Sequence, residues 1–321
     1  MSNPKSRKQV KTNIKSPKGG RKRNSKSSGK HSPVWLLVAF CAAVVYLFFN
    51  KTEATPTPTD ETAVEAPTAP SANTKKRNST TNTELANIDY EAEALPEINR
   101  STASKVLYRR GYTVSFNYEF RQPDWVCYEL LRSELNGSAK RKDFQPDPDL
   151  GEKSSQLSDY RNSGYDRGHL APAADFSWDE TAMTETFYLS NISPQGHEFN
   201  AGIWLTLENK VRDWAKSDSA ICIVAGPVLT DAGFPKQRER LRKSKVVIPQ
   251  YFYKVILAPF GDKPKAIGFI MPNKNSQLPL SRFAVTVDSV ETLTGIDFFS
   301  VLPDKIEQEV ESSFNLKDWN L

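Results

Sequence analysis

Tyr165-Asp166-Arg167-Gly168-His169-Leu170 decides how this chain is read, together with two blocks that follow it, Asn191-Ile192-Ser193-Pro194-Gln195 and Phe199-Asn200-Ala201-Gly202-Ile203-Trp204. The first block places a carboxylate, a guanidinium and an imidazole within four residues, and Gly168 allows a tight backbone between them. Histidine is the most frequent general base near pH 7. The chain has three, at His31, His169 and His197. His31 lies in a basic tail, so two candidates remain. On residue types alone, a surface turn with a satisfied histidine is the favoured reading for His169.

Downstream, Asn200, Trp204, Glu208 and Arg212 recur every four residues. On an α-helix each would be turned by about 40° from the last, so Asn200 and Glu208 would share a face two turns apart. An amide oxygen and a carboxylate are hard ligands of the kind Mg²⁺ takes, since that ion keeps most of its water and accepts few protein groups. Glu208 and Arg212 also fit an ordinary i,i+4 ion pair, and the spacing leaves both readings open.

Taken together, DRGH, NISPQ, FNAGIW, Leu207-Glu208 and the late stretch RFAVTVDSVETLTGIDFFSVLPD (282–304) resemble the DNA/RNA non-specific endonuclease family with the ββα-metal active site. The similarity runs from about Leu107 to Leu316. It implies an α+β fold with a mostly antiparallel central sheet flanked by helices. It also implies hydrolysis of phosphodiester bonds in DNA and RNA with low sequence specificity, using one Mg²⁺ for which Mn²⁺ can substitute. By position, His169 matches the general base, Asn200 the direct metal ligand and Glu208 the carboxylate that holds metal-bound water. Asn191 matches an asparagine that orients the site, and Asp166 a positioning aspartate. Arg141, Arg167 and Arg212 are the expected substrate contacts; His197 matches no role and reads as a surface histidine.

Elementary chemistry agrees. The planar fork of arginine binds phosphate oxygens in pairs, and phosphate contacts carry no base information.

Charge is unevenly placed. Residues 1–33 hold eleven Lys and Arg and no acid, and 51–94 hold four basic and eight acidic residues. That leaves 28 basic and 30 acidic residues elsewhere, so the high pI belongs to the tail, and any polyanion must be met by a local basic cluster. Val34–Phe49 is uncharged and apolar. As a helix it would span roughly 24 Å, close to a bilayer core of about 30 Å. A cleaved signal peptide is the alternative. The expected organisation is a basic cytoplasmic tail (1–33), a transmembrane signal anchor (34–50), a disordered Thr/Pro/Ala-rich linker (51–94) and an endonuclease domain (95–321). The positive-inside rule then places that domain outside the cytoplasm. A tethered, non-catalytic domain that binds a polyanion or a protein suits the same plan. It is disfavoured because such a module has no need of His169, Asn200 and Glu208 together.

Within the domain, 106–120 and 123–131 read as strands, as do 219–227, 246–257 and 266–271. Residues 180–189, 201–216, 286–295 and 303–316 read as helices. Without regular βαβ alternation the class is α+β. Cys127 and Cys222 sit in apolar runs and read as buried thiols; their spacing fits no zinc site.

Overall fold

The runs Ala-Ile-Cys-Ile-Val-Ala (220–225) and Phe-Tyr-Lys-Val-Ile-Leu-Ala (252–258) are apolar on both of their alternating faces. Such strands must be covered on two sides, and they form the middle of a seven-stranded antiparallel sheet. The computed structural model describes residues 85, 86, 88, 94–99, 101–230, 239–260 and 263–321. The basic tail, the apolar run 34–50 and most of the linker lie outside these residues.

In chain order the strands are β1 (Glu97–Ile98), β2 (Ser104–Tyr108), β3 (Thr113–Asn117), β4 (Gln122–Leu131), β5 (Asp166–His169), β6 (Ile192–Gln195), β7 (Ala220–Pro227), β8 (Tyr251–Ala258), β9 (Lys265–Pro272), β10 (Ala284–Val285) and β11 (Ile296–Asp297). The main sheet has the order β10-β9-β8-β7-β4-β3-β2, with every pair antiparallel. Strands β5 and β6 form a separate hairpin-like pair, and β1 pairs with β11. The helices are α1 (Leu157–Tyr160), α2 (Glu180–Glu185), α3 (Leu205–Asp218), α4 (Val287–Thr294) and α5 (Asp304–Ser312).

Residue alternation sorts the core into two layers. On one face, Ile221, Ile223, Ala225, Phe252 and Ile256 meet Leu207, Val211 and Trp214 from α3. On the other, Cys222, Val224, Val255 and Leu257 meet Val287, Val290 and Leu293 from α4 and Val310 from α5. Each fully buried side chain of this size is worth about 1.5–3 kcal/mol, so both layers hold the sheet. Helix α4 is bounded by its sequence: Thr286 Oγ1 accepts from Ser289 N at 3.2 Å, and Gly295 adopts the left-handed conformation that ends it. Cys127 and Cys222 are buried free thiols, as their context suggested.

Three sequence expectations change. Residues 106–120 are not one strand: Arg109 N donates to Tyr112 O at 2.8 Å and the chain reverses between β2 and β3. The strand expected from Val246 begins at Tyr251, because Val246 packs with Tyr160, Leu189 and Ile192 and Pro249 lacks a donor for a ladder. Leu85 and Ala94, placed in the expected linker, are buried against the face that carries α4, so core contacts start before residue 95.

Candidate active site

DRGH is a strand rather than a surface turn. Strand β5 pairs with β6 in the register Asp166↔Gln195, Gly168↔Ser193 and His169↔Ile192. A Cβ at position 168 would run into the buried Gln195 side chain, which is why glycine is required there. The pair is tied to the sheet by Ser193 Oγ donating to Gln122 Oε1 at 2.6 Å and by Asn273 Nδ2 donating to Pro194 O at 3.0 Å.

Asn191 is fully buried and does not line the cleft. Its Oδ1 accepts from Ala171 N at 2.9 Å, and its Nδ2 donates to Ala171 O and Thr186 O, both at 2.9 Å. The side chain clamps the backbone two residues beyond His169.

After β6 the chain enters a π-helical turn, Phe199–Trp204, with non-helical torsions at Gly202, and only then α3. The helix expected from Ala201 to Lys216 therefore starts four residues later and runs to Asp218. Continuous α-helical geometry does not relate Asn200 to Glu208, although both line one cleft. Asn200 Nδ2 donates to Asp166 Oδ2 at 2.9 Å, which leaves the amide oxygen as its free acceptor. The same carboxylate oxygen lies 2.9 Å from His197 Nδ1. His197 is exposed, as expected, but it borders the site more closely than its lack of a motif suggested.

The His169 ring lies between Phe144 and Phe187, with ring centroids 5.2 and 5.0 Å away. Nε2 is buried without a partner, which leaves Nδ1 as the nitrogen available to a water. Burial, together with the charges of Arg141 and Arg167, lowers its pKa to about 3, so the imidazole is neutral at physiological pH. Arg167 lies over the Phe144 ring at 4.5 Å and Arg141 over Phe187 at 5.2 Å.

Beneath the cleft runs a buried charge network that no motif foretold. Asp175 accepts from Arg212 Nη1 at 2.7 Å and from Tyr128 Oη at 2.9 Å. Arg212 is thus paired with Asp175, so the i,i+4 pair with Glu208 is not the contact that forms. Lys254 is fully buried on β8, with Nζ 4.7 Å from the centre of the Trp204 ring and no hydrogen-bond partner. Burial raises the Glu208 pKa, opposed mainly by the charge of Lys254, and burial lowers that of Lys254.

His169, Asn200 and Glu208 share a cleft of about 750 Å³ with Arg141, Arg161, Arg167 and Arg212. Arg161 was not anticipated; it sits in a polar stretch with no periodic signal. Lys142 is held by Glu180 at 2.6 Å, and neither it nor Lys140 lines the cleft.

A two-stranded hairpin feeding a helix, set on an antiparallel sheet with histidine on a strand and asparagine at the helix entry, defines a ββα-type nuclease site. The model of the DNA/RNA non-specific endonuclease family matches residues 93–305, and the chain belongs to that family. Nuclease EXOG, mitochondrial, of Danio rerio is 39% identical over 205 residues, 60% of this chain and 60% of its own length. Nuclease C1 of Cunninghamella echinulata var. echinulata is 38% identical over 63% of this chain and 85% of its own length. Among solved structures, a chain of the EndoG/EndoGI complex superposes with a TM-score of 0.58 at 36% identity, covering 62% of this chain and 87% of that one.

These findings overturn the expected single-pass membrane placement with the domain outside the cytoplasm. The zebrafish relative is named a mitochondrial nuclease. Among the described residues no helix is long and apolar enough to cross a membrane. The apolar run 34–50, on which the expectation rested, lies outside those residues.

Proposed function

We propose that the domain from about residue 95 onward is a metal-dependent endonuclease that hydrolyses phosphodiester bonds of DNA and RNA with little sequence preference. The observation that carries this is His169, held between two phenyl rings with one ring nitrogen available, in a cleft that also holds four arginines, Asn200 and Glu208. A domain that only bound polyanions would gain nothing from an imidazole kept uncharged among arginines.

The donor set fits a hard divalent cation. Asn200 offers an amide oxygen, because its nitrogen is taken by Asp166. Glu208 is a buried carboxylate whose ionised form is destabilised by burial, and an adjacent cation would restore it. In this reading Asn200 would ligate Mg²⁺ directly and Glu208 would hold a water bound to it. Bound there, the ion would supply charge neutralisation to the phosphate under attack.

The side chains do the rest. Neutral His169 accepts a proton from water as its oxygen forms the new bond to phosphorus and the bond to the leaving oxygen breaks. Phe144 and Phe187 fix the ring and keep it uncharged. Arg141, Arg161 and Arg167 bind phosphate oxygens, whereas Arg212, fixed by Asp175, presents a positioned charge rather than a mobile one. Asp166 orients Asn200, and Asn191 holds the strand that carries the base. Every contact named here goes to phosphate, which matches low specificity.

The test is digestion of plasmid DNA and of RNA by the full chain with Mg²⁺, with EDTA, and by His169→Ala. Cleavage of both polymers, lost with chelator and with the substitution, supports the proposal. Undiminished cleavage in EDTA refutes it.

A further inference from the structure

On the face of the sheet away from the cleft, α4 and α5 bring three carboxylates together. Asp288, Glu291 and Glu311 each offer an oxygen, and these oxygens all lie within 4.8 Å of one another. Acidic side chains crowd many surfaces without consequence, but Glu311 differs. It is only 6% exposed, it faces the other two, and its Oε1 is buried with no hydrogen-bond partner. Glu291 uses Oε1 to accept from Phe298 N at 2.8 Å, which fixes that carboxylate and leaves its second oxygen. Among the described residues no Lys or Arg forms an ion pair with any of the three. Asp297 and Glu307 add further negative charge nearby.

We propose that Asp288, Glu291 and Glu311 form a second cation site, distinct from the one in the cleft, that takes Ca²⁺ and fastens α5 to α4. Burying an unpaired carboxylate oxygen among like charges is costly unless a counter-charge is present. Calcium suits the geometry: its oxygen ligands sit about 2.3–2.6 Å from the ion, so oxygens on opposite sides are about 4.6–5.2 Å apart. Water fills its remaining positions, since Asp288 is exposed and opens the site to solvent. The ion here is structural and supports no chemical step.

The experiment uses the full chain stripped with EDTA and returned to metal-free buffer. Ca²⁺ is added in thermal melts, and its binding is counted by equilibrium dialysis. At about 100 times the dissociation constant, wild type should gain roughly 5–10 °C in Tm. Glu311→Gln, nearly isosteric, and Asp288→Asn, at an exposed position, should each abolish most of that gain and lose one bound Ca²⁺. Both should keep Mg²⁺-supported plasmid cleavage within about twofold of wild type, since neither touches the cleft. Glu208→Gln should retain the Ca²⁺-dependent gain, which separates this site from the proposed catalytic one. The idea is overturned if wild type shows no Ca²⁺-dependent gain, or if Glu311→Gln keeps it in full. A metal-free Glu311→Gln that is more stable than wild type, with no Ca²⁺ effect in either, would instead mean that the carboxyls share a proton.

Discussion

Replacing Asn191 with alanine should unfold the region around the catalytic strand without touching the cleft. Three contacts vanish at once: the acceptor for Ala171 N and the donor to the carbonyls of Ala171 and Thr186. The amide left unsatisfied in a dry interior costs about 1–3 kcal/mol, and each lost carbonyl bond about 0.5–1.5 kcal/mol. A net loss of about 2–6 kcal/mol follows, which for a domain of this size lowers Tm by roughly 4–24 °C. Asn191→Asp is the sharper test because it changes one atom group. It keeps the acceptor but turns a carboxylate oxygen toward two carbonyl oxygens, which repel it. That carboxyl should titrate above its unfolded value. The stability it retains is then present at low pH and lost as pH rises through the raised pKa. Asn191→Asp should therefore be less stable than Asn191→Ala at pH 8 and should recover toward pH 5. Urea unfolding at the two pH values measures this. A Tm for Asn191→Ala within about 2 °C of wild type, or an Asn191→Asp stability that does not depend on pH, would refute the clamp.

Loss of the base should appear in rate rather than stability: His169→Ala lowers cleavage by at least about 10², while His197→Ala, which leaves the Asp166–Asn200 bond in place, stays within a few-fold, and equal losses from both would defeat the assignment. Because His169 has a folded pKa of about 3, below its unfolded value near 6.5, it opposes folding as pH falls between those values. His169→Ala should flatten the acid side of a stability–pH curve. Asn200→Ala should shift the Mg²⁺ dependence of the rate further than Glu208→Gln, as a directly ligating oxygen must; the reverse order in a metal titration would exchange their roles. With three or four arginines on the cleft, binding to duplex DNA should weaken with salt at a log–log slope of roughly −3 to −4, and Arg141→Ala or Arg161→Ala should each reduce it by about one. A slope near −8 for the His169→Ala protein would show a basic surface far wider than this cleft.

Histidine beside aspartate and arginine in DRGH, and Asn200 with Glu208 further on, marked candidate site residues before any coordinates, and the structure brings His169, Asn200 and Glu208 to one cleft; the roles of base and hard ligand are those proposed above. Strand β7 and most of β8 are equally plain, since an apolar run of that length buried on both faces has few alternatives. Contacts between distant residues stayed hidden. Nothing near Arg212 indicates that it binds Asp175, and the four-residue spacing favoured Glu208 instead. Lys254 left a trace that could have been used: a lysine inside a strand apolar on both faces has to meet a buried charge or an aromatic ring. The π turn escaped because the intervals of four mimic a regular helix, and only Gly202 interrupts the pattern.

That π turn makes the position of Asn200 depend on chain length as well as on residue identity. A π turn is an α-helix that carries an extra residue. Deleting one residue between Asn200 and Leu205 would let the segment anneal into ordinary helix and extend α3 backward, with better backbone hydrogen bonding. Everything before the deletion would then be rotated by about 100° about the helix axis, which would carry the amide of Asn200 off Asp166 and out of the cleft. The shortened protein would be the more regular fold but would lose this placement, so the irregular turn is a local sacrifice of helical order that keeps the Asn200 amide beside Asp166 in the cleft.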